Sequence, residues 1–164
     1  MKRSKSIRNK VYKFVHHHDV VIYTNLTNRE FNSPWLQIDK LGRIIVRGTN
    51  KDGYAWDGCS PKINFLEFII GTPDGRFDFQ TEQPITYYAS LIHDALYQYK
   101  SKVPISRREA DILFRIILKR ARFKWAYLYY FFVILFGGFY GKWNYKKAQD
   151  EVKIEQYSWL RKDG

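Results

Sequence analysis

The sequence predicts an α+β protein, with N-terminal antiparallel strands and loops packed on a C-terminal three-helix segment. Three observations carry that expectation. Short β-branched runs bounded by Asn, Gly and Asp occupy the first half. From residue 86 onward, apolar residues recur at helical spacing instead. A capping-box pattern then opens a second helical stretch that runs on without a breaker.

The chain begins with "MKRSKSIRNKVYK", which is basic and free of acids. Residues 1–14 read as an arm in which Lys2, Arg3, Lys5, Arg8 and Lys10 lie on a partner. One domain follows over residues 15–145, because no repeat and no Gly/Ser/Pro-rich linker divides it. "VHHHDVV" looks at first like a metal cluster. In an extended chain successive imidazoles alternate faces, so only His16 and His18 share a side, and a structural or exposed role is expected. "HDVVIYTN" and "GRIIVRG" read as strands, with turn chemistry in "DKLG" and "GTNKDG". "YAWDGCSPKIN" is a loop with Asp-Gly and Ser-Pro breakers, and "GTPDGR" is a further turn cornered by Pro73 and Gly75.

In the second half, Leu91, Ile92, Ala95, Leu96 and Tyr99 mark a first helix. It ends near Ser101-Lys102, before Pro104. Ser106 and Glu109 form the capping box of the next helix, whose broad apolar face predicts burial on more than one side. Residues 125–141 are seventeen positions without a charge. Four tyrosines and three glycines interrupt this run, and its strongly apolar part, residues 131–136, falls short of the roughly 20 residues of a transmembrane helix. A buried helix broken at Gly137-Gly138 is expected, with membrane-surface docking by the aromatics as the alternative. Residues 146–164 form a polar tail with scattered aromatics, a terminal helix or strand docked on the body or on a partner.

Twenty-eight Lys and Arg against sixteen Asp and Glu give a net charge of +12. That balance favours nucleic acid, membrane surfaces or acidic protein partners, although no nucleic-acid motif accompanies it. An aromatic content of 18% argues against disorder beyond the ends. Cys59 stands alone, so there is no disulfide partner and no cysteine-based zinc site. The basic start is not followed by an apolar core of the signal-peptide kind, so secretion by a signal peptide is not expected.

Chemistry concentrates on "SLIHDALYQY" and the next helix. Core-facing polar groups are costly, which makes His93, Asp94 and Asp111 conspicuous. If the short "KSKVPIS" connection brings the two helices together, Asp111 can reach His93, fix its tautomer and raise its basicity. Such a histidine deprotonates water for attack on an ester or amide. Tyr97, four residues on, shares its face and can bond the same carboxylate. Asp94 points about 100° away, where Asp57, Ser60 and loop carbonyls could complete the oxygen ligands of a cation such as calcium. The structural alternative has Asp111 paired with Arg115 on the surface, Asp94 on a loop amide near Gly58, and His93 as a satisfied core histidine. Ser60 is a poor nucleophile candidate, since Pro61 follows it and no Gly-x-Ser-x-Gly elbow is present.

The stretches "YAWDGCSPK" (Asp57, Gly58, Ser60, Pro61), "ASLIHDALY" (His93, Asp94, Leu96, Tyr97) and "SRREADILF" (Arg108, Ala110, Asp111, Phe114), followed by an aromatic run ending in "FGG", resemble domain-of-unknown-function family 1353 of tailed phages and prophages. The resemblance spans roughly residues 35–145 and implies a phage origin without an activity. His-Asp-x-x-Tyr with the later Asp is also similar, over about thirty residues, to the prokaryotic phospholipase A2 pattern. That similarity implies His93 as the base, Asp94 as a calcium ligand and Asp111 as the orienting acid, although no disulfides or glycine-rich calcium loop accompany it here. Two expectations follow. One is a virion-associated or assembly protein, in virion or host cytoplasm, that binds other phage structural proteins and uses Asp57, His93, Asp94 and Asp111 as a buried network. The other is an accessory hydrolase with His93 as general base.

Overall fold

The structure, a computed structural model, describes residues 14–48, 53–56, 77–78, 80–138 and 142–160. Among these residues are seven strands and three helices: β1 (Phe14–His16), β2 (Val20–Thr24), β3 (Phe31–Asn32), β4 (Leu36–Ile38), β5 (Arg43–Val46), β6 (Tyr54–Trp56), α1 (Tyr87–Gln98), α2 (Arg107–Arg120), α3 (Ala126–Gly137) and β7 (Ile154–Tyr157). The α+β architecture is the one the sequence predicts.

The two β-branched runs pair with each other. β2 and β5 are antiparallel, with Val20 opposite Val46 and Ile22 opposite Ile44. Alternation buries Val20, Ile22, Ile44 and Val46 on one face together with Leu36 and Ile38 of β4. The sheet order is β3-β4-β5-β2-β7, and β1 pairs with β6 as a separate ribbon. The "DKLG" turn works as its residues predict. Asp39 accepts backbone N–H bonds from Leu41 and Arg43, both at 3.0 Å. Gly42 sits at φ +83°, and a Cβ there would lie 2.2 Å from the Thr24 carbonyl oxygen. Only glycine fits, because both the left-handed backbone and the close approach exclude a side chain.

The tail supplies an edge strand. β7 pairs with β2, Ile22 opposite Tyr157, and Tyr157 is buried, as is Val152 just before the strand. The helices pack next to this layer. α1 buries Leu91, Ile92, Ala95 and Leu96, and Tyr54 of β6 donates to Gln98 at 3.1 Å. α2 begins at the predicted capping box: the Ser106 hydroxyl accepts from the Glu109 amide while the Glu109 carboxylate accepts from the Ser106 amide.

α3 departs from the expected buried helix. It buries only Ala126, Tyr129, Val133 and Gly137, one stripe at helical spacing. The opposite side is open. The helix does end at Gly137-Gly138, as the glycines predict. Among the described residues, no helix is long and apolar enough to cross a membrane.

Candidate functional site

The site forms where the three helices meet. Helical periodicity turns Leu91, Ile92, Ala95 and Leu96 of α1 into the core and leaves His93 and Tyr97 on a flank facing α2. One turn into α2, Asp111 lies beneath them. His93 Nε2 is 2.9 Å from Asp111 Oδ1, and the Tyr97 hydroxyl donates to the same oxygen at 2.7 Å. The Asp111 side chain is 2% exposed, whereas that of His93 is 15% exposed. With Asp111 ionised, Nε2 carries the proton of the neutral ring and Nδ1 carries the lone pair. Nδ1 forms no hydrogen bond with the described residues.

Aromatic rings hold the imidazole from the sides. The Tyr97 ring lies 4.2 Å from it and Phe114 4.9 Å, centroid to centroid. Trp143 packs edge-on against Tyr97 at 4.8 Å and is itself fixed by its indole N–H on the Ile105 carbonyl at 2.5 Å. Burial, followed by the Asp111 charge and the hydrogen bond to it, pushes the Tyr97 hydroxyl well above its usual range. Tyr97 therefore stays protonated and acts as a fixed donor.

Asp111 has a third polar neighbour, one turn back on its own helix. The alternative surface pair with Arg115 is not the one found: the ion pair is with Arg107, whose Nε lies 3.5 Å from Oδ2. Arg115 turns to α3 instead, with its guanidinium 4.5 Å from the Tyr130 ring centroid. Arg108 is exposed on the neighbouring face. Arg107 also donates to the Ile134 carbonyl of α3. Gly137 completes this side. A Cβ there would lie 2.6 Å from the Tyr97 hydroxyl and 3.1 Å from Arg107 Nε, so glycine lets α3 close over both groups. The sequence signalled the glycine only as a helix breaker.

No protein-family model, curated protein or solved structure matches this chain.

Asp94 is half-buried beside His93 and takes part in polar contacts. Asp57, Gly58, Ser60 and Pro61 lie outside the described residues, as do Lys2, Arg3, Lys5, Arg8 and Lys10. Among the described residues, no group of three or more His, Cys, Asp or Glu side chains converges as a metal site would require. Those residues alone therefore do not make a calcium centre. His16 bonds the Tyr87 hydroxyl at 2.9 Å and meets His18 edge-on at 6.0 Å. Burial, then the charges of His18 and His17, lower its pKa from 6.5.

A second polar cluster went unrecognised beyond its capping role. The Glu109 side chain, 0% exposed, accepts both guanidinium nitrogens of Arg29 at 2.8 Å. It also accepts the Gln149 amide at 2.7 Å. It thereby joins the loop after β2, the start of α2 and the approach to β7.

Proposed function

We propose that this chain is a hydrolase in which His93 is the general base and Asp111 orients it. The supporting observation is the asymmetry of the imidazole. One nitrogen is held by a carboxylate that is 2% exposed, while the ring keeps 15% exposure and its other nitrogen forms no bond with the described residues. A satisfied core histidine would be bonded at both nitrogens or sealed.

The chemistry follows from that polarity. Nδ1 takes a proton from water as the water oxygen bonds to an ester or amide carbonyl carbon. The imidazolium so formed is stabilised by Asp111, which remains ionised. The same proton passes to the leaving oxygen or nitrogen when the carbon–heteroatom bond breaks. Tyr97 and Arg107 are positioning residues, holding Asp111 rather than touching substrate.

The test is hydrolysis of chromogenic acyl esters by the purified chain, with and without added calcium. His93→Gln is expected to lose roughly 10²–10⁴-fold, with an unchanged circular dichroism spectrum. Asp111→Asn should lose activity too, with a shifted pH profile. Hydrolysis that survives His93→Gln refutes the assignment, as does a wild-type chain inert to acyl esters and amides alike.

The second reading is the virion-associated or assembly protein, located in virion or host cytoplasm. Its support is that His93, Tyr97, Asp111 and Arg107 tie α1, α2 and α3 together, as a fold-specifying network does. Mass spectrometry of purified virions tests it, and absence of the chain from them would rule it out.

A further inference from the structure

We infer that α3 docks on the surface of an anionic lipid bilayer, lying in the interface with its open face in the acyl region. The helix is apolar all round, yet only one stripe of it is covered. At roughly 100° per residue, Tyr127, Phe131 and Leu135 fall within one arc away from that stripe, with Ile134 at its edge. Tyr127 is 60% exposed, Phe131 57% and Leu135 51%. Trp125 stands exposed just before the first turn. Residues 125–138 contain no charge. Twelve residues span about 18 Å, too little to cross a bilayer but enough to lie along it.

The occupant is chosen by charge. Residues 107–147 contain ten Lys and Arg against two acids, Glu109 and Asp111. Both acids are buried, Glu109 paired with Arg29 and Asp111 with Arg107, so of the ten cations they offset only Arg107. That rim adjoins the apolar face. Lys119 donates to the Tyr127 hydroxyl at 3.3 Å, and Arg115 lies over the Tyr130 ring. Lys124 is exposed at the end where α3 begins. A second copy of the chain would oppose basic rim to basic rim. Nucleic acid offers phosphates but nothing to receive Ile134 and Leu135. A single exposed apolar helix face edged by cations matches headgroup phosphates over acyl chains.

The test is flotation of the full chain with vesicles of phosphatidylcholine alone or with 30% phosphatidylglycerol. Binding is expected only with the anionic lipid, and falling steeply with salt. The exposed double variant Phe131→Ser/Leu135→Ser should bind at least tenfold more weakly at an unchanged melting temperature. Lys124→Gln should cost about fivefold. His93→Gln should bind like wild type, which separates this inference from the hydrolase reading. Several outcomes overturn the inference: no binding to anionic vesicles, equal binding to neutral ones, or undiminished binding by the double variant. Tighter binding to duplex DNA or an acidic polypeptide than to anionic vesicles, or self-association through this face without vesicle binding, also overturns it.

Discussion

Replacing Glu109 with Ala tests whether the fold depends on a buried ion pair. The carboxylate accepts from Arg29 twice at 2.8 Å, from the Ser106 amide at 2.8 Å and hydroxyl at 2.9 Å, and from the Gln149 amide at 2.7 Å. Its loss leaves the guanidinium, on a side chain only 10% exposed, without its counter-ion. Breaking a buried pair from one side costs about 3–5 kcal/mol, and losing half a capping box adds about 1 kcal/mol. Arg29 retains the Pro104 carbonyl at 3.1 Å and the Tyr145 ring at 5.3 Å, which places the expected total near the low end, about 4 kcal/mol. For a chain of this length that is a fall in Tm of roughly 8–16 °C. Thermal and urea unfolding followed by tryptophan fluorescence measures it. Arg29→Met/Glu109→Leu should recover much of the loss, since removing both charges removes the orphan. A cost below about 1 kcal/mol for Glu109→Ala, or single-variant costs that simply add in the double variant, would refute the reasoning.

Three further outcomes are expected. Tyr97→Phe removes one donor from buried Asp111 and should cost about 2 kcal/mol by urea titration. Gly137→Ala gains up to about 1 kcal/mol of helix propensity but presses on Tyr97 and Arg107, so a net loss of about 1 kcal/mol in Tm-derived stability is expected. Burial tends to raise the Glu109 pKa, but the bonds from Arg29 and then from the Ser106 and Gln149 amides outweigh it and hold the value below 4.5. A carboxyl whose folded pKa is depressed contributes stability that is complete above the unfolded value and lost as pH falls through the folded one. Stability should therefore decline as pH drops below 4.5, and Glu109→Gln should flatten that part of the pH–Tm curve.

Local chemistry was legible and distant chemistry was not. β2 and β5 announced themselves through β-branched runs, and α2 through Ser106 and Glu109, because each signal lies within a few residues of its effect. β3 and β4 are two and three residues long, too short for alternation to register. β7 hides in a polar tail, since an edge strand buries little beyond Tyr157. Arg29 carries no local signal because its partner lies 80 residues away. α3 read as buried because apolarity measures what a helix can bury, not what the fold finds to cover it.

Asp111 shows why spacing alone could not complete the site. Arg107 and Arg115 stand four residues to either side of it, and both separations bring side chains together on a helix. The decision is made by α3. Gly137 leaves room on the Arg107 side, where the Ile134 carbonyl also accepts from the guanidinium. On the other side Tyr130 offers Arg115 a ring face. The residue that settles the environment of His93 and Asp111 is thus a glycine on a third helix, whose only sequence signature was that a helix should stop there. If that glycine is what frees Arg107 and Tyr97 to grip Asp111, then the polarity of His93 depends on α3 being seated, and anything that moves α3 acts on the base through Asp111.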